Sequence, residues 1–282
     1  MRLSRRSQWL LRAAVAVGLA FIYIPLIVIG VYAFNSSKIL AWPPPGFTTH
    51  WFSQAFKDDA AREAFVTSIK AGVVAASIAL VLGTLAALAV ARHRFFGRET
   101  ISFLVILPIA LPGIVTGVAI SNTFTQVLDV PLSLFTVIVG HATFCIVVVY
   151  NNAVARLRRL SGSFEEASAD LGAHTWQTFR YVTLPNMRSA LGAGGLLAFG
   201  LSFDEIIVTN FTIGAGEQTL PIWIFSNLFR PHNLPIVNVV AVLVVLLSII
   251  PVYLAHRLGG EDVGAPGRGG SGGIETEATA VP

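Results

Sequence analysis

Six apolar runs, each long enough to cross a bilayer, leave this chain few folds to choose from. They fall at about 13–34, 66–91, 101–124, 134–154, 189–213 and 236–256. A hydrocarbon core of roughly 30 Å takes about 20 helical residues to span. In lipid every backbone N–H and C=O must find its partner within the segment, so each run is read as a helix. The expected fold class is all-α, a polytopic membrane protein with about six transmembrane helices. Composition supports lipid as the main solvent. Only 12% of residues are charged, about half the share of an ordinary soluble domain, and mean hydropathy is +0.72.

Charge orients the helices. With a cytoplasmic N-terminus, the inner segments hold Arg2, Arg5, Arg6, Arg12, Arg92, Arg94, Arg98, Arg156, Arg158, Arg159, Arg180, Arg188, Arg257 and Arg268. The outer segments receive only Lys38, Lys57, Arg62, Lys70 and Arg230. This asymmetry follows the positive-inside rule and places both termini in the cytoplasm, the expected site being the plasma (inner) membrane. It also accounts for the net charge of +4 without a nucleic-acid partner.

The organisation expected along the chain is a first helix and outer loop at 1–60, a membrane-spanning core at 61–258 with a cytoplasmic loop at 155–188, and a disordered Gly-rich tail at 259–282. The first run exceeds the usual signal-peptide core and lacks a clean small-x-small cleavage site, so it is read as a retained helix. In the outer loop, the aromatic stretch 47–56 is expected at headgroup level through Trp51, Phe52 and Phe56. Cys145 is the single cysteine and is read as a packing residue. No GxxxxGK[ST] phosphate loop occurs, so ATP, if it drives this protein, is bound by another chain, and no cofactor or catalytic residue is expected here.

The loop after the fourth run is the most informative segment. Ser163-Phe164-Glu165-Glu166-Ala167-Ser168-Ala169-Asp170-Leu171-Gly172 reads as a short helix, capped by Ser163 with Glu166 completing a capping box, and stopped by a left-handed Gly172. A second short helix is expected from a Thr175 cap, ended or disturbed by Pro185.

These residues resemble the loop signature of type I ABC importer permeases: Glu-Ala-Ala, three residues, Gly, nine residues, Ile-x-Leu-Pro. Glu166, Ala167, Gly172, Leu184 and Pro185 match in register, while Ser168 and Val182 replace Ala and Ile. The resemblance extends over about 64–258, including the turn from Arg92 through Phe95 and Gly97 to Arg98. It implies that Glu166, Ala167, Gly172, Leu184 and Pro185 form a coupling element docked on an ATPase subunit. It further implies a second permease subunit, two ATP-binding subunits and an extracytoplasmic solute-binding protein as partners.

Inside the membrane, small residues recur every four positions, at Ala75, Ala79, Gly83 and Ala87 and at Ala190, Gly194, Ala198 and Ser202, a spacing that lets helices approach closely. Pro108 and Pro112 are expected to kink the third helix. His141 has no companion at metal-ligand spacing and is read as hydrogen-bonded or cavity-facing, with no metal site expected. Asp204 and Glu205 fall within the fifth run, where a carboxylate costs about 2.5 to 3.5 kcal/mol to insert. Glu205 shares a helical stripe with Ser202 and Thr209, and these four residues are the candidate solute pathway. The surrounding sequence, with Leu220-Pro221-Ile222-Trp223, is similar to the polyamine-type branch of the importer family, which implies spermidine or putrescine as solute. Two other classes stay open from the residues alone, a proton-coupled secondary transporter and an intramembrane hydrolase. The chain shows neither a recognisable duplication nor an HExxH motif to carry them.

Overall fold

The structure, a computed structural model, describes residues 4–39, 41–230 and 233–260. In chain order its helices are α1 (Arg5–Ala33), α2 (His50–Lys57), α3 (Asp59–Arg92), α4 (Arg98–Ala110), α5 (Gly113–Asn122), α6 (Leu134–Arg159), α7 (Ser163–Asp170), α8 (Thr175–Thr178), α9 (Leu184–Phe203), α10 (Ile207–Thr212), α11 (Leu220–Leu228) and α12 (Leu234–Gly260). Among the described residues the one β-type pairing is an isolated bridge between Asn35 and Phe47. The expected tail at 259–282 lies, from residue 261 onward, outside the described residues, as do Arg2 and Arg268.

Four helices, α1, α3, α6 and α12, are each long and apolar enough to cross a membrane, and the α4–α5 pair makes a fifth such unit if counted as one span. That pair is bent by 104°, far more than a proline kink. Leu111 is extended because a residue before proline is driven out of the helical region, and Pro112 then starts α5 in a new direction. The fifth run is also interrupted, with α9 closing at Phe203 and α10 opening at Ile207. Two of the six expected runs are therefore broken helices.

The core is a bundle of α3, α6 and α9, and the small-residue stripes make it possible. Ala75, Ala79 and Ala87 are wholly buried. A Cβ on Gly83 would sit 2.9 Å from the Ile146 carbonyl oxygen and 3.0 Å from Val149 Cβ, so α3 and α6 touch backbone to backbone there. A Cβ on Gly194 would sit 3.3 Å from Asn152 Cβ and 3.6 Å from Val149 Cα, a tight approach that brings α9 onto α6. Buried residues layer along this bundle. At one end Ala87, Val90, Tyr150, Ala153, Leu157 and Met187 pack together, and in the middle Ala79, Phe144, Cys145, Ala198 and Val208 do so. Cys145 serves that packing and donates its thiol to the Ala198 carbonyl at 3.3 Å.

The other end closes on α2, α11 and α12. Asn35 is wholly buried after α1 and its carbonyl accepts the Trp51 indole N–H at 2.7 Å. Trp51 and Phe52 thus turn inward onto Ala33, Leu220 and Val237, and of the three aromatics expected at the headgroups only Phe56, 70% exposed, projects outward. By contrast α1 packs on α12 and leaves its apolar length uncovered within the chain.

Candidate functional site

Two regions hold the residues singled out in the sequence. The first is the loop between α6 and α9. Its first helix, α7, starts one residue earlier than expected: Gly162 is the N-cap, and its carbonyl accepts both the Glu165 and Glu166 amides at 3.0 Å. Ser163 does not cap but pairs its hydroxyl with that of Ser161 at 2.7 Å, so the expected capping box with Glu166 is not formed. Glycine in that cap position frees Glu166, which stands exposed with Ala167 on the outer side of α7.

The stop at Gly172 has the expected left-handed backbone, with φ at +82°. Its amide donates to the Ala169 carbonyl at 2.9 Å and the Ala173 amide to the Ser168 carbonyl at 3.1 Å, the paired bonds of a Schellman closure. The following helix is capped by His174 rather than Thr175, and the His174 amide donates to Gln177 Oε1 at 3.0 Å. Pro185 does not end it. The chain widens through a π-helical turn at Phe179–Thr183, and Pro185 enters the first turn of α9, where its missing N–H costs nothing. Ser168, the departure from the family signature, shares a hydrogen bond of 3.0 Å with Thr178 and ties α7 to α8.

Glu165, which sequence reasoning passed over in favour of its neighbour, anchors the loop. Its Oε2 lies 3.0 Å from Arg92 Nε at the end of α3, and its Oε1 accepts from Arg92 Nε at 3.2 Å and from the Thr183 hydroxyl at 3.0 Å. The readable signal was an arginine closing an apolar span with no charged neighbour of opposite sign on its own helix. Phe164, Leu171, Trp176 and Tyr181 remain mostly exposed around α7 and α8. Leu184 is half-buried and Pro185 exposed.

The second region is the break between α9 and α10. His141 on α6 is wholly buried and reaches both sides of it, with Nδ1 2.7 Å from Ser202 Oγ and Nε2 2.8 Å from Thr209 Oγ1. The Thr209 hydroxyl donates to the Glu205 carbonyl at 2.7 Å. Its one proton being used there, Nε2 must be the donor to Thr209, and Nδ1 accepts from Ser202. Ser202 and Thr209 are therefore buried against His141. Glu205 is half-buried and its Oε1 accepts the Val208 amide at 2.8 Å, capping the start of α10. Asp204 is exposed at the end of α9. Because the backbone leaves the helix at Asp204, Glu205 does not continue one helical stripe from Ser202 to Thr209; the histidine gathers Ser202 and Thr209, while the Glu205 carboxylate caps α10. No group of three or more His, Cys, Asp or Glu residues among the described residues is placed to hold a metal.

Fold and packing define a multi-pass helical membrane protein with a structured loop between two of its spans. The chain belongs to the family of binding-protein-dependent transport system inner membrane components, whose model matches residues 79–259. It is 34% identical over 263 residues to the putrescine transport system permease protein PotI of Escherichia coli strain K12, an alignment covering 89% of this chain and 92% of that one. It is 32% identical over 254 residues to the spermidine/putrescine transport system permease protein PotC of Haemophilus influenzae, covering 89% and 97%. In fold it is similar to a chain of a bacterial ABC transporter involved in the import of the acidic polysaccharide alginate, with a TM-score of 0.67, 18% identity, and coverage of 94% and 100%.

Proposed function

We propose that this chain is one permease subunit of an ATP-driven importer that carries polyamines, of the putrescine and spermidine type, across the inner membrane. The observation that carries the substrate reading is the identity of 34% along 89% of the chain to a putrescine permease. It pairs with a second permease subunit, two ATP-binding subunits and an extracytoplasmic solute-binding protein. ATP is bound and hydrolysed by the ATP-binding subunits, and this chain contributes neither cofactor nor catalytic group. Both termini face the cytoplasm, as the arginine distribution favours.

In this mechanism α7 docks on an ATP-binding subunit through Glu166, Ala167 and Gly172, with Leu184 and Pro185 joining the loop to α9. The exposed rim of Phe164, Leu171 and Trp176 suits such a contact. Closure of the ATP-binding pair moves the loop, and α9 with it, so that the cavity between the two permeases opens outward. Asp204 and Glu205 offer anionic contacts to a passing ammonium group, with Ser202 and Thr209 setting the break from behind through His141. Acceptors in a place of low dielectric favour a multiply charged cation, and two of them are few enough to permit release.

The test is uptake of radiolabelled putrescine into proteoliposomes holding the whole assembly, with ATP inside. ATP-dependent uptake is expected; uptake of a different small solute alone would keep the importer and discard the polyamine. Orientation is checked with cysteines placed by Lys38→Cys, Glu217→Cys and Ser163→Cys in a Cys145→Ser background. An impermeant reagent added to intact cells should label the first two, and labelling of the third would reverse the topology.

A further inference from the structure

The loop must hand its motion to the membrane helices, and among the described residues one ion pair joins it to a span. We infer that Arg92, Glu165 and Thr183 form a latch that passes load from α7 into α3 and α9 together, an inference that rests on the importer reading above.

The geometry singles these residues out. Only two ion pairs occur among the described residues, and the other, Arg62 with Asp59, is an exposed pair three residues apart on α3. Glu165 instead joins elements 73 residues apart in sequence. Its carboxylate is held by Arg92 Nε on one side and by the Thr183 hydroxyl on the other. The two charged side chains are 23% and 26% exposed, and Thr183 is 5% exposed, so the latch is largely shielded from water. Shielding strengthens a charge-assisted hydrogen bond, and a carboxylate held from two sides resists being pulled in either direction.

Position gives the contact its consequence. Arg92 is the last residue of α3, the helix that packs along both α6 and α9. Thr183 is the last residue of the π-helical turn that leads into α9. Glu166, one residue on, is exposed. Adjacent carboxylates thus divide the work: Glu166 faces the partner and Glu165 faces this chain's own core. Without Glu165 the loop would still connect to α6 and α9 through the backbone, but α3 would be reached only by packing. Arg92 Nη2 is buried with no hydrogen-bond partner among the described residues, so the guanidinium holds a donor in reserve for a carboxylate that shifts as the loop moves.

The test uses the assembled complex with its binding protein and reads stimulated ATP hydrolysis and putrescine moved per ATP. Glu165→Gln keeps the shape and removes the charge; it should assemble normally and lose about tenfold in stimulation and in uptake. Arg92→Glu and Glu165→Arg should each be uncoupled in the same way, and the double exchange should recover most of the loss. Thr183→Val should lose less than either. Wild-type stimulation in Glu165→Gln, or a double exchange no better than the single variants, would overturn the latch. If the wild-type complex hydrolyses ATP on stimulation but moves no putrescine, the substrate reading fails while the latch is still judged by stimulation.

Discussion

The loop between α6 and α9 and the break between α9 and α10 are both departures from straight helix, yet they are held in place by different means. In the loop the turn between α7 and α8 is made by the chain itself: Gly172 takes the left-handed turn, and the Ala173 amide closes on Ser168, all within a few residues, with the Glu165 anchor reaching another helix. Between Phe203 and Ile207 there is neither proline nor glycine, and the interruption is fixed from another helix, by His141 on Ser202 and Thr209. A local irregularity can be altered by a local substitution, whereas a tertiary one is altered most strongly from a distance.

His141→Leu breaks that comparison hardest. It leaves the Ser202 hydroxyl buried without its partner and removes the donor to Thr209, at a cost of about 1–3 kcal/mol. The thermal transition of the detergent-purified chain should fall clearly, and His141→Gln, which keeps a polar end, should fall less. If the leucine variant melts with the wild type, the break is held by something other than the histidine.

The same contrast explains how much could be read from sequence. The loop's two helices and the stop at Gly172 followed from cap and turn chemistry, which acts over a few residues. The misplaced starts, Gly162 for Ser163 and His174 for Thr175, are shifts of one residue among neighbouring polar candidates. Pro112 was legible as a disturbance, but its size was not, because the 104° turn depends on α5 packing against α10. The α9–α10 break carried a signal that periodicity could not interpret: two adjacent carboxylates, Asp204 and Glu205, stand in an apolar run where the backbone leaves the helix. Glu165 was hidden because its partners, Arg92 and Thr183, lie far off in sequence or across a helix end. The expectation that His141 is a hydrogen-bonded residue agrees with its two hydroxyl contacts, whose identity required the fold.

Gly172 offers the next largest effect and sharpens the local side. A β-branched residue at φ +82° is strained by about 1–2 kcal/mol, yet no atom lies within 4 Å of the position its Cβ would take. Gly172→Val should lower stimulated ATP hydrolysis in the complex by about tenfold while the chain still inserts. Gly172→Asn separates the causes, since asparagine tolerates this backbone. Recovery in the asparagine variant assigns the loss to the turn; loss in both assigns it to side-chain bulk at a docking surface. Wild-type hydrolysis in both would remove Gly172 from the coupling element.

On the tertiary side, Glu205→Gln and Asp204→Asn ask whether the break serves solute as well as structure. Glutamine keeps the oxygen that accepts the Val208 amide, so the cap on α10 survives and only the charge is lost. Putrescine uptake should fall about fivefold with assembly unchanged, and the exposed Asp204 should matter no more than Glu205. Unchanged uptake in both variants would leave the carboxylates a packing role alone.

Glu166→Ala should have the smallest effect and discriminates most finely between the chain's own needs and its partner's. In the first turn of α7 a carboxylate gains from the helix dipole by about 0.3–1 kcal/mol, and salt screens that gain because the residue is exposed. No capping box depends on it, since Gly162 supplies the acceptor for its amide. The isolated chain should therefore melt within a degree or so of wild type, by the usual relation between small free-energy changes and midpoint shifts. In the complex, stimulated hydrolysis should fall by about twofold to fivefold, the loss of one contact at a protein interface. The two measurements must separate if Glu166 faces the ATP-binding subunit. A melting shift with unchanged stimulation would make Glu166 a helix-stabilising residue and move the docking contact to the apolar rim of Phe164 and Leu171.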